Sequence, residues 1–410
     1  MTNTPVPADR EALITGIGLI TGLGEGASQT HALLAGPKPA RPAVETDKFA
    51  PYPVVAMAEL DLSSQIARRG DRRQMGPWQR FGVYSAGLAL DDAGIKDDTE
   101  LLGRTNLIVA AGGGERDPEA DTLVLEAARQ SKNPAAALAQ SLLVNLRPTL
   151  FLSQLSNLLA GNISIVHHVT GSSRTFMGEE LAGAMALQVA LRRIQSGQGE
   201  LFLVGGAYNA EREDMLLLLQ IGQYLWQGDP AAGVWQRAQK GGGILCGSMG
   251  AFLVIESRAH AVARGAKVYG RLDTVATDTG PRQDEAVIGA RLAQLAAALE
   301  GENGEGPLGY LCGASGAKQA TEMERAFIDL LSNDHEVAVR SFGSVLGHGL
   351  EAQMPVGVAL AAAALDQKRY YPPFDPCDPA MASDTMPGRI AVTSFGHWRG
   401  EAVALVARAD

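Results

Sequence analysis

Two carboxylates stand side by side in RTFMGEELAG (174–183), at a point where a strand should hand over to a buried helix. Isolated acids at such a junction are unfavourable unless cations or N–H donors meet them. Glu179 and Glu180 therefore read either as structural acids neutralised by backbone N–H groups or as charge that a site requires. A helix N-terminus favours an anion, so one of them suits that position. The sulfur chemistry is sparse. Cys246, Cys312 and Cys377 lie far apart without CxxC spacing, which excludes a disulfide framework and a zinc module and fits a reducing cytosol. The adjacent histidines 167–168 point to different sides of any regular element, so no metal site is read there. The one dense basic cluster, RRGDRRQMGPWQR (68–80), carries Arg68, Arg69, Arg72 and Arg73. It is either a solvated face or a docking patch for an acidic partner.

The elements that must position these groups alternate between two kinds. Short apolar runs ending in glycine (12–20, 106–114, 200–207, 250–257, 308–316 and 389–396) read as buried strands. Helical patterns are expected over 78–93, with Trp78, Phe81, Tyr84 and Leu88 at helical spacing, and over 182–196, 285–300, 321–332 and 351–366. Such alternation predicts an α/β protein. The 410 residues suit two domains or one large double unit, with 46% apolar residues available for a core. The clearest boundary is ESRAHAVARGAKVYGRL (256–272), giving comparable halves over 1–256 and 265–410. Pattern alone does not establish a repeat between them. A net charge of -10 argues against nucleic-acid binding. The N-terminal stretch lacks the charged and apolar regions of a secretory signal, and the apolar runs are too short to span a bilayer. A cytoplasmic protein without membrane insertion is expected.

Several motifs in order, ITGIGLITGLGEG, RRQMGPWQRFGVYSAGLALDDAGI, NLLAGNISI, GELFLVGGAYNAE, GAFLVIESRAHAVARGAKVYG, GSVLGHGLEA and SFGHWRG, resemble the β-ketoacyl-acyl carrier protein synthases of type I/II. The resemblance covers nearly the whole chain. It implies the thiolase fold: two five-stranded sheets between helix layers, an αβαβα stack made of two similar halves, in a dimer. In that family a cysteine at the N-terminus of a buried helix takes up an acyl chain, and two histidines and a lysine support decarboxylation and condensation.

Counting from both flanking motifs, the family's nucleophile position falls on Glu180, where the family reads Cys-x-x-Gly. The first histidine position falls on Cys312 and the lysine position on Gly343. The second histidine persists as His348. The gating phenylalanine aligns with His397, and Phe395 before it is kept. A carboxylate cannot carry the acyl chain stably, because a mixed anhydride is far more labile than a thioester. Losing one member of a catalytic set can lower the rate on the order of 10⁴ to 10⁶, so condensation by this chain alone is not expected.

GEELAGAMAL also resembles the Glu-Gln-Ala-Gly-Gly motif of chain-length-factor subunits in type II polyketide synthases, and TGSSRTFMGEE resembles synthase-like companions in very-long-chain lipid pathways. The resemblance implies a heterodimer with a cysteine-bearing ketosynthase, or a homodimer. It also implies an acyl carrier protein as partner, no cofactor beyond the phosphopantetheine that the carrier brings, and no metal. Two alternatives stay open. One is an active 3-oxoacyl synthase or malonyl decarboxylase using Glu180, Cys312 and His348, in which Cys312 and His348 would form a relocated Cys/His dyad. The other is a purely structural dimerisation module.

Overall fold

The computed structural model describes residues 6–146, 152–300, 307–378 and 386–409; the first residues of the stretch read for a leader lie outside these. The ten long strands are β1 (Ala12–Thr21), β2 (Asn106–Ala111), β3 (Ser173–Met177), β4 (Leu201–Tyr208), β5 (Met249–Ser257), β6 (Gly270–Asp278), β7 (Leu308–Cys312), β8 (Val337–Ser341), β9 (Arg389–Phe395) and β10 (Glu401–Ala407). The main helices are α1 (Pro77–Asp92), α2 (Pro118–Gln130), α3 (Pro134–Asn145), α4 (Leu158–His167), α5 (Glu180–Gln195), α6 (Glu213–Ile221), α7 (Glu285–Ala297), α8 (Lys318–Leu331) and α9 (Gln353–Asp366).

The strand order resolves what pattern alone leaves open. β1–β5 lie in the order β3-β2-β4-β5-β1, and β6–β10 in the order β8-β7-β9-β10-β6. Each is the same 3-2-4-5-1 arrangement. In both, three strands run parallel and the last two join antiparallel. The two sheets touch where Ala12–Ile14 of β1 pair with Gly270–Leu272 of β6. Helices α1 and α4 cover the outer face of the first sheet, α7 and α8 that of the second, and α5 and α9 lie between, each contacting strands of both. The result is an αβαβα stack of two similar halves.

Burial on both faces explains the composition of the middle. All ten residues of β1 are buried, as expected for a strand covered on both sides. Residues 353–365 of α9, QMPVGVALAAAAL, are buried on every side, as a helix apolar all round must be. Small residues let α5 approach its neighbours: a Cβ on Gly183 would stand 2.5 Å from the Glu351 carbonyl and 2.7 Å from Pro355. The expected helix over 351–366 begins at Gln353 because a 3-10 turn, Leu350–Ala352, precedes it. The expected strand 308–316 stops at Cys312, after which the chain leaves the sheet. Among the described residues no helix is long and apolar enough to cross a membrane.

Gly183→Val forces the central helix away from the turn before α9. The expected outcome is destabilisation of roughly 3 kcal/mol or more, read from a urea melt. An unchanged midpoint would contradict this packing.

Candidate active site

β3 ends at Met177, and Gly178, at φ +152°, makes the turn that drops Glu180 into the first turn of α5. Its carboxyl is fully buried, and a single oxygen, Oε1, takes three donors. These are Nε2–H of His348 at 2.9 Å, the backbone N–H of His397 at 3.1 Å and its Nδ1–H at 2.9 Å. His348 follows Gly347, which is at φ +75°, and is fixed by a bridge to Cys246 in which its N–H donates to the Leu245 carbonyl. His397 lies in the β9–β10 hairpin, closed by Gly396 N–H donating to the Gly400 carbonyl. The Tyr224 ring packs edge-on against it, with centroids 4.7 Å apart. Strand ends from both sheets therefore converge on one carboxylate.

The electrostatics follow from this geometry. Burial alone would raise the Glu180 carboxyl, but the His397 charge and the hydrogen bonds of both histidines hold it well below the carboxylate range. Burial opposes the His397 cation, yet Glu180 keeps its pKa above the ordinary histidine value. The site thus holds a fixed ion pair. Both histidine side chains bond the same carboxylate oxygen of Glu180. Among the described residues no group of His, Cys, Asp or Glu is arranged to hold a metal ion.

The other residues singled out in the sequence are placed differently. Cys312 is fully buried at the end of β7 among Tyr310, Phe327 and Phe395. Burial, reinforced by Glu324, pushes its thiol well up. His348 spends its Nε2–H on Glu180, and its Nδ1 has no partner among the described residues, so the Cys312/His348 dyad is not formed. Phe395 belongs to the core of the second half, 5.7 Å from the Phe327 ring, and does not line the Glu180 site. Gly343 offers no group and no space: a Cβ there would meet the Ala314 carbonyl at 2.6 Å. Arg68, Arg69 and Arg73 are exposed, while Arg72 turns back onto the Ala67 carbonyl at 3.0 Å. His167 is structural, bonded to the Val83 carbonyl, with its pKa pushed down to about 4 by burial.

Two buried acids escaped the sequence reading. Glu351 accepts the Gly112 N–H at 2.9 Å, and burial pushes it up to about 7, with Glu180 adding to the rise. Glu324 bonds Thr393 and is likewise pushed up to about 7 by burial. Glu351 sits three residues after His348, and Glu324 lies on the predicted 321–332 helix. For Glu351 the available signal was an acid at the head of an apolar run; Glu324, flanked by Glu322 and Arg325, gave none.

The sequence model of the beta-ketoacyl synthase N-terminal domain matches residues 9–261. The chain belongs to the beta-ketoacyl synthase family. The 3-oxoacyl-[acyl-carrier-protein] synthase 2 of Vibrio harveyi is 24% identical over 400 residues, covering 92% of this chain and 90% of that protein. Nodulation protein E of Rhizobium leguminosarum bv. trifolii is 24% identical over 389 residues, covering 90% and 91%. Among solved structures, the ishigamide ketosynthase/chain length factor matches with a TM-score of 0.75 at 23% identity, covering 98% of this chain and 100% of that one. A beta-ketoacyl synthase from Burkholderia phymatum STM815 matches with a TM-score of 0.75 at 18% identity and the same coverage. At these identities the likeness is one of fold, and that fold is the thiolase-like stack of ketosynthases.

Several buried groups in this synthase-fold chain, Glu324, Glu351 and His397 among them, make stability fall as pH rises. A raised carboxyl leaves stability intact below 4.5 and erodes it up to about 7, for Glu324 and Glu351 alike. Each shift corresponds to on the order of 3 kcal/mol. The raised His397 stabilises fully below 6.5, and this is lost as pH rises through its folded value. Glu180 acts in the opposite direction, its contribution lost only as pH falls below 4.5 through its folded value. The thermal midpoint should therefore drop between about pH 5 and pH 8, and Glu351→Gln should flatten the slope; a midpoint rising over that range contradicts the assignment. Alkylation with iodoacetamide should modify Cys377 alone in the native protein, since Cys246 and Cys312 are buried; native labelling of Cys312 would reopen the dyad.

Proposed function

We propose that the chain is a non-condensing, chain-length-factor-like subunit that pairs with a cysteine-bearing ketosynthase in fatty acyl or polyketide chain elongation in the cytoplasm. The observation that carries this reading is Glu180. It stands at the head of the central helix, where the family's resemblance puts the nucleophile, and it is locked in an ion pair. Decarboxylation is disfavoured by the same charge, because an ionised Glu180 repels a malonyl carboxylate.

The surface supports a partner chain. The two free edges of the sheet are unlike. β8 is wholly buried beneath residues 370–378, with Tyr370 bonded to the Ala338 carbonyl and Ser341 to Asp378. β3 lies open, its side chains partly or fully exposed and Met177 75% exposed. An open edge invites pairing with another chain unless it is blocked. α6 exposes Leu217, Leu218 and Ile221, and the α2–α3 hairpin exposes Leu125, Leu143 and Val144. A second chain of the same fold would offer a like edge to β3 and apolar surface to cover these side chains.

Two solved structures of this fold support the choice of partners by what their titles state. One is a ketosynthase/chain length factor. The other, with a TM-score of 0.70 and 16% identity, is a type II polyketide acyl-carrier protein in complex with its ketosynthase. An acidic acyl carrier protein would meet Arg68, Arg69 and Arg73. The chain needs no cofactor of its own under this reading; phosphopantetheine arrives on the carrier.

The test is purification with and without a co-expressed cysteine-bearing ketosynthase, followed by incubation with malonyl-carrier and acyl-carrier. The expected result is a stable one-to-one complex that elongates, and an isolated chain that gives neither elongated product nor covalent acyl adduct by mass spectrometry. Extension of a primer by the isolated chain overturns the proposal. Met177→Arg, at the open edge, should weaken the complex by at least about tenfold while leaving the chain folded.

A further inference from the structure

The segment that carries His397 is gripped from a second side. Arg282, between β6 and α7, is buried, its side chain 6% exposed. Its Nε donates to Glu401 Oε1 and its Nη2 to the Gly396 carbonyl, both at 2.7 Å. Nη1 has no partner among the described residues. Glu401, the first residue of β10, also takes Arg291, which bonds Asp278 and the Pro281 carbonyl. The Arg282 backbone carbonyl accepts Gln319 Nε2–H from α8 at 3.3 Å. One guanidinium thus ties both ends of the β9–β10 hairpin to the second half of the protein. Gly396, whose carbonyl it holds, is the residue before His397.

We propose that Arg282 is a positioning residue: by holding Gly396 and Glu401 it keeps His397 on Glu180, and so keeps the head of α5 sealed against a carrier-borne chain. This rests on the reading of the Glu180 site as non-condensing and adds what keeps it closed. Buried arginine suits the task because its planar fork can bind a carboxylate and a carbonyl at once, which a lysine ammonium on a flexible stem does less rigidly. The hairpin lies directly on the helix it closes: a Cβ added to Gly400 would stand 3.2 Å from the Leu181 side chain, and Arg399 stands 4.0 Å from Glu179.

The charges facing His397 allow a test with opposite signs. Glu180 and Glu179 favour its cation and Arg282 disfavours it; the Tyr224 ring packs against it, and His348 shares the same Glu180 oxygen. If Arg282 acted only through its charge, Arg282→Gln would raise the His397 pKa. If it positions His397, the ion pair loosens and the pKa falls towards the ordinary 6.5. Imidazole titration by NMR on the full chain should show a fall of roughly half a unit or more. Arg282→Lys keeps the charge and guards against a glutamine variant that does not fold; a smaller fall is expected there. A value unchanged or raised in either folded variant overturns the proposal. The seal has its own readout, since the thiol introduced by Glu180→Cys should react with iodoacetamide at least about tenfold faster when Arg282→Lys is added, and equal rates overturn it. Neither measurement involves condensation, so failure here is distinct from failure of the proposed function.

Discussion

The carboxylate of Glu180 is the interaction on which the two halves of the protein agree. It belongs to the helix that follows β3 in the first half, whereas both histidines that meet it come from the second. A buried carboxylate without partners is strongly unfavourable, and removing one partner of a buried pair typically destabilises by about 3–5 kcal/mol. The His348 bridge and the β9–β10 hairpin are therefore set in position by a single oxygen atom.

Duplication explains why such a meeting point exists. Each half carries the 3-2-4-5-1 strand order, and each sends one helix, α5 or α9, into the central layer after its third strand. The two helices can pack closely only with small residues at the crossing, and Gly183 faces the turn before α9 for that reason. The heads of both helices lie at the strand ends where the halves join. A charge there is reached by loops from either half: the ion pair and the Gly112–Glu351 bond join the two halves, while the Arg282–Glu401 clamp lies within the second.

Much of this was legible in the sequence, and the gaps have physical causes. The buried strands were readable because their apolar runs end in glycine turns, and the central helix α9 because its alanine-rich run has no polar face. Glu180 was readable because an acid at a strand-to-helix junction is out of place in a core. His397 was readable only as the residue aligned with the gating phenylalanine; its bonds to Glu180 were not, since a hairpin residue gives no periodic signal. Cys312 misled for a different reason. Its motif context placed it beside His348, while the strand's alternation turned its side chain into the second half's core. The repeat was invisible because topology depends on strand pairing, and the side chains of the two halves have diverged.

The altered positions are not independent losses. Gly343 lies against the Ala314 carbonyl, so a longer side chain there has no room unless the backbone moves. Cys312 is fully buried in the same apolar cluster as Tyr310, Phe327 and Phe395. His397 stands in the hairpin with two anchors, Glu180 on one side and the Arg282-held Gly396 carbonyl on the other. Replacing Glu180 by cysteine would remove the ion pair, and the hairpin would still be tied at its base by Arg282. Under the proposed function, surroundings held this tightly suit a site kept for its shape and its charge.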